Sequence, residues 1–203
     1  MQNQTRGILS TAQATKMSGF TLLTLLFVGS TITSAFLLPL SDSSYSGEFG
    51  GSGGKRFSHA GNQMEGPITA LRVRANQYYI VGLQFSYCRL WSEYVGGTDG
   101  EMQEIFLYDD EDIIQITGKY DSYIQNLVFL TNKQRSFVFG ASSGYTYHGY
   151  RGFTFNAVPL YRSAVLRYVS GRSASYIDAL GFHWGKQLKK SKKCRRLTVD
   201  QGK

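Results

Sequence analysis

The chain has 203 residues, enough for one domain with a real core, and its 14 Tyr, 13 Phe and 23 Gly favour strands and turns over helices. Two cysteines do not make a disulfide framework. The formal charge of +8 is not a property of the whole chain: residues 35–185 hold 12 Lys/Arg against 13 Asp/Glu, a balance of −1, while residues 186–196 hold seven basic residues and no acid.

Residues 1–40 read as a targeting segment. Arg6 and Lys16 precede an uncharged stretch over 20–40, whose strongest apolar part, 20–28, is short, as in a signal peptide. Thr33, Ser34 and Ala35 offer small residues for cleavage. The stretch is also just long enough to remain as an uncleaved signal anchor, although its Ser, Thr and Gly weaken that reading. Either way the domain faces a lumen, and no stable membrane span remains if the signal is cleaved. Met17 is an alternative start that leaves a shorter signal. The one Asn-x-Thr sequon, at Asn3, precedes the signal and should not be glycosylated. The expected organisation is a leader over 1–40, a domain over 41–185 and a basic tail over 186–203.

The domain opens on a Ser/Gly-rich entry, 41–54, in which 45–49 can add an edge strand. Its Gly50-Gly51-Ser52-Gly53-Gly54 satisfies G-x-S-x-G literally, yet a nucleophile elbow needs a helix directly after it, and 55–63 has no helical pattern. A phosphate loop fails as well, because Lys55 is followed by Arg56. What remains is either a flexible linker or a loop that can approach a ligand closely because it lacks side chains.

Strand signals then recur at short intervals. In I-T-A-L-R-V-R, from Ile68, Leu71 and Val73 share one face and Arg72 and Arg74 the other. A turn at Asn76-Gln77 precedes the run from Tyr78 to Tyr87. Further strands are expected over 102–108, 113–117, 123–130, 136–139, 153–157, 164–169 and 176–183. Eleven or twelve short strands without a convincing helix mean a sandwich, barrel or prism, and the pattern does not choose among them. Cys88 lies in a strand-like run and reads first as a small packed residue; a Cys88–Cys194 bridge in an oxidising lumen and pairing of Cys194 between chains are the alternatives. The acidic run 109–112 reads as a solvated turn, and His59, His148 and His183 have no zinc spacing.

The stretch S-G-R-S-A-S-Y-I-D-A-L-G-F-H-W, 170–184, carries the strongest site signal. Asp178 is its only acid and follows a tight Gly/Ser turn. A carboxylate there can accept hydrogen bonds from two neighbouring hydroxyls while adjacent backbone N–H groups donate to the same ligand, which suits a sugar. The bland alternative is a hairpin whose Asp bonds its own turn.

Five segments occur in order: G-S-G-G-K-R-F-S-H-A-G, G-P-I-T-A-L-R-V-R, W-S-E-Y-V-G-G, F-N-A-V-P-L and the 170–184 stretch. Together they resemble the animal jacalin-related lectins over roughly 45–184. The resemblance implies an all-β fold, a β-prism of three four-stranded Greek-key sheets, although no internal repeat stands out. It implies a non-enzymatic lectin for mannose-type glycans that needs no metal or cofactor. It places Asp178 as acceptor of sugar hydroxyls, Gly54 as the contact of a glycine wall, and Ser175, Tyr176 and Tyr123 as backbone donors or aromatic contacts. Two positions depart from the family. Asp121 stands where a close relative has a basic residue, which bears on any preference for sulfated or other acidic glycans. Ala174 replaces the glycine of the G-x-x-x-D motif, and if position 174 needs a positive φ, Ala costs about 1 kcal/mol there and shifts the loop. Residues 145–152 look inserted, with Tyr145, Tyr147 and Tyr150 forming either a contact surface or a longer hairpin.

The expected protein is thus a secreted or granule-lumen lectin. Its partners are mannose-type glycans or glycoproteins and not nucleic acid, with avidity from a repeated target or from oligomerisation. The reading from another class is a granule adaptor. It binds sulfated glycosaminoglycan or proteoglycan through Lys189, Lys190, Lys192, Lys193, Arg195 and Arg196.

Overall fold

The computed structural model describes residues 43–140, 152–189 and 194. Strands, numbered in chain order, form three antiparallel sheets. The first sheet runs β1 (Ser44–Gly50), β13 (Ile177–Lys186), β12 (Ala164–Ser173) and β2 (Lys55–Ser58). The second runs β5 (Leu90–Trp91), β4 (Ile80–Tyr87), β3 (Ile68–Ala75) and β7 (Glu101–Phe106), with β6 (Val95–Gly96) also on β4. The third runs β10 (Ser136–Gly140), β9 (Ile124–Thr131), β8 (Ile113–Tyr120) and β11 (Phe153–Ala157). This is the β-prism expected from the resemblance. Sequence periodicity missed β2 and a short 3-10 helix, Asn62–Glu65. The turn after β12 also falls later than expected: the strand continues through Ser170–Ser173, and the chain reverses only at 174–176.

Each sheet turns one face inward. Leu71 and Val73 are buried while Arg72 and Arg74 point outward, as alternation requires. Phe85 of the second sheet packs edge-on against Phe129 of the third, with centroids 6.2 Å apart. Phe182 of the first sheet stacks against Phe155 of the third at 5.8 Å. Trp184, buried at 1 % exposure, donates its indole N–H to Ser46 Oγ at 2.8 Å, which satisfies the one polar atom it carries into the core. His59 sits between Phe57 and Phe85, and burial pushes its pKa down to about 4.

Two expectations are corrected. Cys88 and Cys194 form a disulfide, with Cα atoms 4.4 Å apart. Cys88 is not inside a strand: it occupies the turn between β4 and β5 with φ +61°, and its N–H bonds Pro67 O at 2.8 Å, which holds the thiol in place for its partner. The acidic run is a solvated turn only in its first half, where Asp109 and Asp110 are exposed; the second half is buried. Glu111 is fully buried, its carboxylate accepting Thr131 Oγ1 at 2.7 Å, Arg135 Nη1 at 2.6 Å and the Tyr108 N–H at 2.9 Å. A buried carboxylate needs such partners, and Arg135 supplies the compensating charge from β10's approach. Asp112 is also buried and accepts Gln187 Nε2 at 2.6 Å.

The leader lies outside the described residues. So do Tyr145, Tyr147 and Tyr150, and the tail residues Lys190, Lys192, Lys193, Arg195 and Arg196.

Candidate functional site

The three sheets present their hairpin tips at one end of the prism, and the tips share a plan. In the register, Ala75 pairs with Ile80, Tyr120 with Ile124 and Ser173 with Ile177, each beside a local register shift. The N–H that follows each outgoing strand bonds back to a tyrosine carbonyl: Asn76 to Tyr79 at 3.1 Å, Asp121 to Tyr123 at 3.0 Å and Ala174 to Tyr176 at 3.0 Å. Each tyrosine is followed by a fully buried isoleucine, Ile80, Ile124 or Ile177, which anchors the tip in the core. The next residue is Val81, Gln125 or Asp178. A left-handed glycine packs on that residue's carbonyl in every sheet. Added Cβ atoms at Gly96, Gly140 and Gly50 would lie 2.1, 2.3 and 2.1 Å from the oxygens of Val81, Gln125 and Asp178.

Chemistry differs where geometry repeats. Asp178 is 3 % exposed, and its Oδ2 is buried without a hydrogen-bond partner. Burial raises its pKa, with Arg172 acting in the opposite sense. The glycine loop lies directly over the carboxylate: a Cβ on Gly53 would be 2.4 Å from Oδ1, and one on Gly54, where φ is +64°, 2.4 Å from Oδ2. Any side chain here would collide with the acid, so glycine is required for space and, at Gly54, for conformation. Arg172 clamps the loop, donating Nε to Gly53 O at 2.6 Å and Nη2 to Gly54 O at 3.3 Å. The Gly51 N–H adds a bond to Asp178 O at 2.9 Å.

A cleft of about 280 Å³ opens above this carboxylate, lined by Gly51, Ser52, Gly53, Asp121, Ser122, Tyr123 and Asp178. Of the residues expected from sequence, Asp178, Asp121 and Tyr123 therefore meet in one cleft, with Gly54 against the acid. Ser175 and Ala174 are exposed on the tip of the first sheet, and Tyr176 joins the cleft's rim through its ring, 5.2 Å from that of Tyr123.

Two of those residues behave differently from the expectation. Ala174 is not in the left-handed region, which among described non-glycine residues holds only Cys88 and Gln134. Its tip position is equivalent to Asn76 and Asp121, where ordinary residues stand, so loss of the family glycine strains nothing. Asp121 is engaged within its own tip, accepting the Tyr123 N–H at 2.9 Å and Gln125 Nε2 at 2.8 Å. Its charge serves first to fold the loop.

Sequence reasoning missed Arg172, Tyr79 and the threefold plan. The signal was present: G-G-S-G-G from Gly50, G-G-T-D-G from Gly96 and G-A-S-S-G from Gly140 repeat, as do Y-I-D, Y-I-V and Y-I-Q. Short repeats separated by dissimilar strands are easy to overlook.

Three antiparallel sheets around a shared core, with a polar cleft at the hairpin tips, define a β-prism of the lectin class, whose family consists of carbohydrate-binding and not enzymatic proteins. A family model described as a jacalin-like lectin domain matches residues 46–183, and the chain belongs to that family. It is 59% identical over 142 residues to zymogen granule membrane protein 16 of Homo sapiens, covering 70% of this chain and 80% of the relative. The crystal structure of a prostate-specific WGA16 glycoprotein lectin is similar with a TM-score of 0.59 and 31% identity, over 71% of this chain and 99% of that one. Malaysian banana lectin is similar with a TM-score of 0.57 and 27% identity, over 71% and 99%.

Proposed function

We propose that this protein is a secreted lectin for mannose-type glycans, with its sugar site in the cleft over Asp178. The observation that carries the reading is Asp178 Oδ2, a buried acceptor without a partner beneath a loop that admits no side chain. Leaving such an oxygen unpaired is unfavourable, and a ligand that donates hydroxyl hydrogen bonds removes that cost. Two adjacent hydroxyls of a pyranose suit one carboxylate. In this reading Gly54, Ser175 and Tyr176 offer backbone contacts at the edges, and Tyr123 an aromatic face, with Asp121 holding Tyr123 in place. A single shallow site of this kind binds weakly, on the order of millimolar or about −4 kcal/mol, so repeated targets or oligomerisation supply avidity. The name of the human relative, a zymogen granule membrane protein, supports a place in the secretory pathway, with residues 1–40 as the leader. The test is a glycan array at low and high salt with the leader removed. Mannose-type signals that a soluble mannoside displaces at both salts support the reading; their absence refutes it.

The adaptor reading draws on a separate observation. The disulfide holds Cys194 against Cys88, whose neighbour Arg89 is exposed. Lys192, Lys193, Arg195 and Arg196 lie within two residues of Cys194, so the bond tethers that basic segment to the prism, and exposed Lys189 precedes it. Polyanion binding here is expected to weaken steeply with salt through counterion release. Deleting residues 186–203 should then lower the salt at which the protein leaves a heparin column, and unchanged elution would exclude the tail.

A further inference from the structure

Tyr79 belongs to the tip of the second sheet, outside both loops that flank the cleft, yet it touches both. Its ring centroid lies 5.2 Å from that of Tyr123 and 5.2 Å from that of Tyr176, and those two are 5.2 Å from each other. The interplanar angles are 66°, 54° and 61°, so every pair meets edge to face or tilted, the geometry that aromatic quadrupoles favour. One ring comes from each sheet. Together they close a triangle where the three tips converge.

We propose that Tyr79 is a positioning residue for the carbohydrate site, acting through Tyr123 and Tyr176. The proposal rests on the assignment of that site to Asp178. The tips of the first and third sheets are each closed by their own hydrogen bonds, Ala174 to Tyr176 and Asp121 to Tyr123, which shape a tip but do not tie one tip to another. Gly51 packs on the Ser122 carbonyl and Gly97 on that of Ser175, and the rings are the side-chain tie among all three tips. With two rings alone, either can swing away by losing one contact. With the third in place, each is held by two.

Tyr79 is itself well anchored. Asn76 Oδ1 accepts the N–H groups of Tyr78 and Tyr79 at 3.0 and 2.9 Å, and Ile80 beside it is fully buried. The second sheet thus serves as a post against which the two loops of the cleft are set. Asp178 needs no such help, because it lies in a strand. The half-buried loop tips do, and a ligand that must order them binds more weakly than one that finds them ordered.

The test compares Tyr79→Ala and Tyr79→Phe with the parent in the full chain without its leader. Calorimetry with methyl α-mannoside reads affinity, and amide hydrogen exchange reads order at 121–123 and 174–176. Tyr79→Ala is expected to weaken binding about five- to twentyfold and to speed exchange at both tips, with the thermal midpoint within a few degrees of the parent. Tyr79→Phe keeps the ring and is expected to stay within about twofold in both measurements. If Tyr79→Ala loses the fold, Tyr79→Leu takes its place with the same expectation. Unchanged affinity in the Ala variant overturns the proposal, and so does weaker binding without faster exchange at the tips. A parent that binds no mannoside, or an Asp178→Ala variant that binds as well as the parent, instead overturns the site assignment; the exchange data still read the coupling of the tips.

Discussion

The tips of the first and second sheets are built on one plan and differ in what they can do. Both close on a tyrosine and a buried isoleucine, and both receive a left-handed glycine on the carbonyl of the following residue. In the first sheet that residue is Asp178, and Gly53 leaves open the space above it. In the second it is Val81, and Asp99 occupies the place equivalent to Gly53, where its carboxylate accepts Asn76 Nδ2 at 2.9 Å. One tip has an acceptor and room for a ligand. The other has an apolar side chain and a loop that satisfies itself. The third tip falls between them: Gln125 stands where the acid would be and is spent on Asp121. Repetition of the backbone therefore does not multiply the site; two side-chain choices within it decide where a ligand can go.

The largest effect is expected from making the first tip resemble the second. Asp178→Ala removes an acceptor of two hydroxyl bonds to a charged group, roughly 1.5–3 kcal/mol each, comparable to the whole of a millimolar affinity, so calorimetry should detect no mannoside binding. The thermal midpoint should stay within a few degrees, because removing the buried Oδ2, which has no partner, offsets the loss of the carboxylate's attraction to Arg172. Calorimetry and a thermal melt on one sample check both halves. Binding retained by this variant would move the site to another tip.

Filling the space alone should act almost as strongly. Gly53→Asp copies the second sheet's loop and brings a Cβ to 2.4 Å from Asp178 Oδ1, with a like charge beyond it. We expect a loss of about tenfold or more in affinity and a melting point lowered by several degrees. An unaltered variant would mean that the glycine loop yields and that its tightness does not define the cleft.

The pH dependence sharpens the contrast further, because the acid proposed to bind the ligand is in the first tip alone. Burial raises the Asp178 pKa, so the folded protein holds this proton more readily than the unfolded chain does. The stability contributed by the protonated form is present at low pH and is lost as pH rises through the folded pKa. Binding runs the other way: the carboxylate is the acceptor, so affinity should fall as pH drops through that same raised pKa. A titration of mannoside affinity, with Asp178→Asn as a pH-insensitive control, tests this. A midpoint at or below the ordinary range would show that a ligand hydrogen bond or Arg172 outweighs burial.

The smallest effect is expected at the residue that departs from the family motif. Ala174→Gly should change affinity by less than about twofold and cost a few tenths of a kcal/mol to about 1 kcal/mol in stability through added freedom in the unfolded chain, read by denaturant melts. A marked gain in affinity would show that Ala174 strains the loop after all.

Several of these features were legible in the linear chain. Alternation placed Leu71 and Val73 inside and Arg72 and Arg74 outside, and most strands fell within a few residues of their observed ends. Asp178 stood out as the only acid in a polar turn-and-strand segment, and the glycines ahead of Lys55 could be recognised as a loop open to a ligand. Glu111 and Cys88 were misjudged for a common reason. Their partners, Arg135 and Thr131 in one case and Cys194 in the other, are distant along the chain, and local composition carries no trace of them. Nothing local marks Arg172, since its acceptors are carbonyls of a loop more than a hundred residues earlier.

The amino-acid order by itself determined the all-β class, the inward faces of the strands and the acid on which the proposed site is built, because these follow from period-two burial and from which residue types carry a carboxylate. Tertiary structure alone decided that one oxygen of this acid is buried without a partner, that glycine is the only residue that fits above it, and that three tyrosines from three sheets meet at one end. Those are properties of distances between segments far apart in sequence. They come into being only when closure of the prism brings the three tips within reach of one another.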